Sequence, residues 1–124
     1  MKYFISAVVA AFITTTAHAH EWTPTYPKFE PSYINGIMVT TMKIFNKRSD
    51  ASFYEISVYD VDWKPIVFAT PSKIIEVRHL ERKNIEIYIL QKDLDRIEYV
   101  CSKSKLQVGE VNSSGVNSRI CSRI

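Results

Sequence analysis

Apolar and polar side chains alternate with a period of two along several stretches of the chain. Between residues 37 and 46, the side chains of Met38, Met42 and Ile44 fall on one side of an extended backbone. The stretch 53–59 alternates in the same way. A period of two is that of a β-strand whose two faces meet different surroundings. The pattern therefore predicts strands at 37–46 and 53–59.

Shorter apolar runs bounded by turn residues predict the remaining strands. These runs are 66–68, 74–77, 84–89, 97–102 and 118–124. The polar run 108–117 is predicted to be a loop, and 92–96 a single helical turn that Asp93 could cap. About seven short strands at near-regular spacing, with no long helix, predict an all-β, immunoglobulin-like antiparallel sandwich.

The first residues have the pattern of an export signal. The charged start Met1–Tyr3 is followed by the apolar run Phe4–Ile13 and by the triplet Ala17–Ala19, in which small residues flank one larger residue, His18. This order predicts a signal peptide over 1–19 that is cleaved after Ala19, and an N-terminal membrane anchor is the less favoured alternative. We therefore expect a periplasmic or secreted chain, with no membrane span after the signal is removed.

The segment 20–31 differs in composition from the rest of the chain. Three prolines are interleaved with aromatic residues, which excludes a central strand and predicts an extended arm or edge. Trp22 and Tyr26 lie in this arm, where an aromatic side chain either packs back on the sandwich or anchors a partner. The predicted organisation is the signal, this arm and one sandwich domain over 32–124.

The two cysteines, Cys101 and Cys121, are predicted to form a disulfide. An exported chain meets an oxidising compartment, and two thiols allow only one intramolecular pairing. Closing a loop of roughly 20 residues stabilises the fold by about 3 kcal/mol in the chain-entropy model. Neither cysteine has a second Cys or His at ligand spacing, so no metal site is predicted.

Charge excludes one class of partner and leaves another open. The formal net charge is +3, it falls by one when Lys2 is removed, and the acids and bases are interspersed, which is unlike a nucleic-acid-binding protein. Only the C-terminal part is locally basic. Its cations are Lys103, Lys105, Arg119 and Arg123, set against Glu110. They form either a solvated face or a contact for an acidic partner, so Arg119 and Arg123 are candidate partner-binding residues.

No arrangement of residues in the sequence predicts catalysis. The mature chain contains His20, at its predicted N-terminus, and His79, and it lacks paired metal-ligand histidines, a Gly-rich phosphate loop and a nucleophile motif. The carboxylate pairs Asp60/Asp62 and Asp93/Asp95 lie in hydrophilic turns, where such residues are common. We predict a protein that is not an enzyme and has no cofactor.

Several stretches, taken in order, resemble the N-terminal immunoglobulin-like domain of the PapD-like periplasmic pilus-assembly chaperones. These are Pro31–Tyr33, Met42–Asn46, Phe53–Tyr59, Phe68–Ser72, Leu80–Ile89 and Glu98–Val100. The resemblance implies a chaperone that lends a strand to an incomplete partner sheet. By this resemblance the family's anchoring arginine would fall near Glu30 and its lysine on the last strand would correspond to Arg119 or Arg123, and we expect a single-domain relative without the family's second domain.

Two functional hypotheses follow. The first is a non-catalytic periplasmic module of chaperone or adaptor type that binds an envelope or secreted protein by an edge strand or by the arm. The second is a structural subunit of a secretion, pilus or phage-related assembly, linked to its neighbour by the aromatic arm. An enzyme is the least favoured class, because the sequence contains no nucleophile accompanied by a general base at a recognisable spacing.

Overall fold

The computed structural model describes residues 19–105 and 117–124, which form two antiparallel sheets. The predicted signal peptide, apart from Ala19, and the predicted loop 108–117, apart from Asn117, lie outside these residues. The strands are β1 Glu21–Thr23, β2 Glu30–Pro31, β3 Ile37–Phe45, β4 Phe53–Tyr59, β5 Phe68–Ala69, β6 Ile74–Glu76, β7 Arg82–Leu90, β8 Tyr99–Lys105 and β9 Arg119–Arg123. A 3₁₀ helix, Gln91–Arg96, joins β7 to β8.

The first sheet has the order β1-β3-β7-β5, with β2 also paired to β3, and the second has the order β6-β4-β8-β9. The predicted all-β antiparallel sandwich is confirmed. Nine strands are present in the described residues rather than about seven, because two short pieces of the proline-rich segment, β1 and β2, pair with β3.

The core lies between the sheets and follows the period of two seen in the sequence. On β4 the inward side chains Tyr54, Ile56 and Val58 are at most 2% exposed. Met42 and Ile44 of β3 are fully buried opposite them in the other sheet. Burying side chains of this size supplies most of the driving force for folding, at about 1.5–3 kcal/mol each.

The proline-rich segment packs back on the sandwich. Trp22 is 5% exposed, and its indole N–H donates to the carbonyl of Val100 at 3.0 Å. After β1 the chain crosses to the second sheet, where Ser122 Oγ donates to the Pro24 carbonyl at 2.7 Å. Of the two alternatives for Trp22, packing on its own domain is the one observed. As a core residue, Trp22 is not part of an exposed contact surface.

Two local predictions were wrong. β5 covers Phe68–Ala69 instead of 66–68, because Ile66 turns into the core and its N–H donates to the Val58 carbonyl of the other sheet. The 3₁₀ helix has no side-chain cap, and the Asp93 carboxylate instead accepts a hydrogen bond from Arg96 at 2.9 Å.

Candidate protein-binding surface

An aromatic stack lies on the outer face of the second sheet, and we call it the β9 stack. It consists of Tyr59 at the end of β4, Trp63 in the following turn, Tyr99 on β8 and Arg119 on β9. The Trp63 and Tyr99 rings are parallel within 6°, with centroids 4.0 Å apart, and the Arg119 guanidinium lies 5.0 Å from the Trp63 ring. Trp63 is 44% exposed, so the stack is accessible from solvent.

A tight turn holds Trp63 in this position. The Asp60 carboxylate accepts the backbone N–H groups of Asp62 and Lys64, both at 2.9 Å. Trp63 itself adopts the left-handed conformation, with φ 61°, which is unfavourable for a bulky residue. The stacking on Tyr99 stabilises a conformation that the local sequence disfavours. Asp60 belongs to one of the carboxylate pairs noted in the sequence, and in the structure its side chain stabilises a turn.

The predicted disulfide is confirmed and lies beside the stack. Cys101 of β8 and Cys121 of β9 are direct cross-strand partners with an S–S bond of 2.04 Å. Cys101 shares the outer face with Tyr99, yet it is fully buried. The bond links β9 covalently to the centre of the second sheet.

β9 is an edge strand with main-chain groups directed outward. The carbonyl of Ser118 accepts from the N–H of Ser104 on β8, whereas the N–H of Arg123 points away from β8 and donates to Thr25. Since main-chain groups of alternate residues point to opposite sides of an antiparallel strand, those of Arg119, Cys121 and Arg123 are all directed away from β8. Within residues 19–105 and 117–124, no strand pairs with this side of β9.

The predicted partner-binding residues fall at different places around this edge. Arg119 belongs to the stack, and Arg123 forms an ion pair with Glu98 at 2.7 Å, which raises the pKa of Arg123. Tyr26 is 73% exposed and follows Thr25, which contacts the end of β9. Three of the four residues therefore lie along one strand edge, and the fourth, Trp22, lies in the core.

A buried polar network runs behind β8 and β9. His20 is 2% exposed, its Nε2 lies 2.7 Å from Ser102 Oγ, and its Nδ1 lies 3.3 Å from Ser118 Oγ. Burial, with a further contribution from the charge of Arg48, lowers the pKa of His20 to about 4. Arg48 donates to Ser104 Oγ at 3.0 Å and forms an ion pair with Asp50. His20 is therefore a neutral, hydrogen-bonded structural residue at neutral pH.

This network has the residue types of a hydrolytic site without its access. A serine hydroxyl next to a neutral imidazole can be a nucleophile with its base. Ser102 is fully buried, however, so a substrate carbonyl cannot reach its oxygen in this conformation. Among the described residues, no group of three or more His, Cys, Asp and Glu side chains could hold a metal ion.

One end of the sandwich carries most of the exposed large apolar side chains, and we call it the apolar end. It is the end at which β3 begins and β7 ends. The residues there are Tyr26, Tyr33, Ile34, Val61, Trp63, Val67 and Ile124, whereas Ile74 and Leu80 lie elsewhere. A groove of about 380 Å³ at this end is lined by Ile34, Ile37, Val67, Phe68, Ala69, Tyr88, Ile89 and Leu90. Apolar patches of this kind mark interaction surfaces.

Sequence reasoning did not find the β9 stack or the apolar end. The aromatic residues of the stack, Tyr59, Trp63 and Tyr99, are separated along the chain. Their spacing in the sequence predicts only that they lie in the core or in cross-strand pairs, as most aromatic residues of this chain do. A tryptophan in a polar turn flanked by Asp62 and Lys64 was the available signal, because a core residue is rarely placed there.

Comparison with family models and with curated proteins finds no match to this chain. Within the described residues, no helix is long and apolar enough to cross a membrane.

Proposed function

We propose that the chain is a non-catalytic protein-binding module of chaperone or adaptor type, exported to the periplasm or the cell exterior, which binds another envelope or secreted protein along the edge of β9. The observation that carries this proposal is the position of the stack formed by Trp63, Tyr99 and Arg119 near that edge, with which no further strand pairs within the described residues.

The β9 stack and the edge of β9 complement each other in a strand-addition mode of binding. The outward main-chain groups of Arg119 and Cys121 supply hydrogen bonds to an extended partner segment, and neighbouring side chains select which segment binds. Trp, Tyr and Arg are the residue types that contribute most to binding energy in protein interfaces. The resemblance to the PapD-like chaperones, in which a strand is lent to a partner, supports the same mode.

Photocrosslinking from the periplasm tests this proposal. A photoreactive residue in place of Ile124, which is 38% exposed next to the end of β9, is expected to capture one or a few envelope proteins. The matched control is the same residue in place of Thr41, an exposed position on β3 in the other sheet. Equal capture at both positions, or none at either, would contradict binding through β9.

A second variant links capture to the stack. Trp63→Asn keeps a residue that tolerates positive φ, so the turn is preserved while the indole is removed. We expect the yield of the Ile124 crosslink to fall severalfold with an unchanged unfolding midpoint. An unchanged yield would remove the stack from the binding surface.

A structural subunit of a secretion, pilus or phage-related assembly is the second candidate. The apolar end favours it, because a subunit fixed in an assembly needs a contact surface besides the β9 edge. Fractionation of the envelope by size tests it: a subunit is recovered in high-mass particles, whereas a chaperone or adaptor is recovered mainly free or in small complexes.

A further inference from the structure

The proposed function does not specify which chemical type of segment binds along β9, whereas the side chains beside this strand indicate one. We infer that Arg119 binds a side-chain carboxylate of the partner, so that the segment added to β9 is acidic. This inference rests on the proposed function, since the carboxylate must arrive on a segment paired with β9.

The outer face beside β9 carries neighbouring positive charges. Lys103 of β8 and Arg119 of β9 are directly opposite each other on the same face. Like charges in this arrangement destabilise a sheet. The nearby cations Lys105 and Arg123 are paired with Glu55 at 3.1 Å and Glu98 at 2.7 Å. Lys103 and Arg119 have no carboxylate at ion-pair distance among the described residues, so within this part of the chain their two positive charges are not compensated.

The Arg119 side chain is oriented by the aromatic rings beside it. Its guanidinium lies 5.0 Å from the Trp63 ring and 5.9 Å from the Tyr59 ring. A guanidinium stacked on aromatic rings is held in place, while the N–H groups around its rim still point outward. No hydrogen bond of this guanidinium is found among the described residues. Its planar fork matches both oxygens of a carboxylate.

The position of the guanidinium along β9 distinguishes a side-chain carboxylate from a terminal one. Trp63 stacks on Tyr99, and Tyr99 is the cross-strand partner of Arg123 at the other end of β9 from Arg119. The Arg119 guanidinium is therefore directed over the outer face of the sheet, between the levels of Arg119 and Arg123, and not beyond the end of β9. A segment paired with β9 presents side chains at this point, whereas its terminus would lie past the strand.

The positive charges on β9 disfavour pairing of this edge with a second copy of the chain. Arg119 and Arg123 both lie on β9, so pairing two antiparallel β9 edges would bring cations together. Charged residues on an edge strand are a common protection against self-pairing. A segment that carries Asp or Glu has the complementary charge.

Synthetic peptides test the inference directly. The probe is an end-blocked, strand-length peptide of about ten residues, built of alternating Thr and Val with one central Glu. Its matched controls carry Gln at that position, or carry Gln together with a free C-terminal carboxylate. Binding to the mature chain is measured by fluorescence anisotropy at low and high salt, and its site by the amide NMR shifts of β9.

We expect the Glu peptide to bind at least about tenfold more tightly than the Gln peptide, as a charge-assisted bidentate contact allows. The preference is expected to weaken at high salt and to be lost in Arg119→Gln. Arg119→Lys keeps the charge but not the planar fork, and it should retain only part of the preference. Lys43→Gln, which removes an exposed cation from β3 in the other sheet, should leave the preference unchanged.

Three outcomes would overturn the inference. The first is equal binding of the Glu and Gln peptides. The second is a loss of preference in Lys43→Gln as large as that in Arg119→Gln. The third is tighter binding of the peptide with a free C-terminus than of the Glu peptide. If the Glu and Gln peptides bind β9 equally, the acidic preference fails while the proposed strand addition stands. If neither peptide shifts the β9 amides while the Ile124 crosslinker captures a partner, the inference also fails and the proposed function again stands.

Discussion

Asn46 shows how a single buried polar residue connects three parts of the sandwich. It is fully buried, and its side-chain amide donates to the carbonyls of Ala51 and Val77, both at 2.7 Å. Its Oδ1 accepts from the Tyr54 hydroxyl at 2.6 Å and from the Arg48 N–H at 2.8 Å. All of its hydrogen-bonding capacity is used inside the protein, so its removal leaves several buried groups without partners.

Asn46→Ala is expected to lower the free energy of unfolding by about 3–5 kcal/mol, because the Tyr54 hydroxyl and two carbonyls lose their partner in the core. Urea unfolding measures this change. Asn84→Ala, at an exposed position on β7, is the control and is expected to cost less than about 1 kcal/mol. Similar losses in the two variants would contradict the role assigned to Asn46.

His20 makes stability depend on pH. Its pKa is about 4 in the folded protein and 6.5 when exposed, so between these values the unfolded chain binds a proton that the folded chain does not. The free energy of unfolding therefore falls as the pH drops from 6.5 to 4, by at most about 3 kcal/mol, and this contribution levels off below pH 4.

The measurement is urea unfolding at several pH values for the natural chain and for His20→Gln. The variant keeps hydrogen-bonding capacity but cannot be protonated, so its stability should change less across this window. Parallel pH curves for the two proteins would show that another group is responsible.

At the scale of elements, β9 depends on a covalent link as well as on its pairing with β8. It has five residues and lies at the edge of its sheet, and the disulfide joins it to β8 across a sequence separation of 20 residues. The outward side of β9 is bonded within the described residues only near its C-terminal end, to the segment that contains Thr25. The disulfide therefore holds the proposed binding edge in place.

Replacing both Cys101 and Cys121 with Ala is expected to lower the free energy of unfolding by about 3 kcal/mol through loss of the closed loop. A dithiol reductant should destabilise the natural chain by a similar amount and leave the double variant unchanged. A reductant effect of equal size on both proteins would mean that it acts elsewhere.

At the scale of the whole molecule, the exposed apolar side chains are unevenly distributed. Ile34 and Val67 are 66% and 76% exposed at the apolar end, next to the groove, whereas Ile74 on β6 is 49% exposed at a distance from it. A single exposed isoleucine is ordinary, but a group of such residues around a groove forms a surface that can bind apolar molecules.

The double variant Ile34→Ser/Val67→Ser should bind a hydrophobic fluorescent dye less strongly than the natural chain, with the free energy of unfolding changed by less than about 1 kcal/mol. Ile74→Ser, at an exposed position of β6, is the matched control and should leave dye fluorescence nearly unchanged. Equal decreases in dye fluorescence in the two variants would show that the groove binds the dye no better than other exposed apolar residues do.

Prediction from the sequence succeeded where side-chain periodicity and burial coincide. The alternation predicts β4 at 53–59, where it is observed, and it predicts β3 to within one residue. Prediction was less accurate for short pieces such as β5, whose position depends on Ile66 reaching the other sheet. It also left the position of Trp22 open, because a proline-rich segment pairs only where a neighbouring strand accepts it.

The fold class and the disulfide can be predicted from the sequence alone. A period of two is a local property of the backbone, and two cysteines allow only one intramolecular bond. The residues that form the proposed binding surface are brought together only in the tertiary structure. Tyr59, Trp63, Tyr99 and Arg119 belong to different strands and turns, and they meet because β4, β8 and β9 are adjacent in one sheet. Strand order and register arise from contacts between residues distant in the chain, which local alternation does not encode.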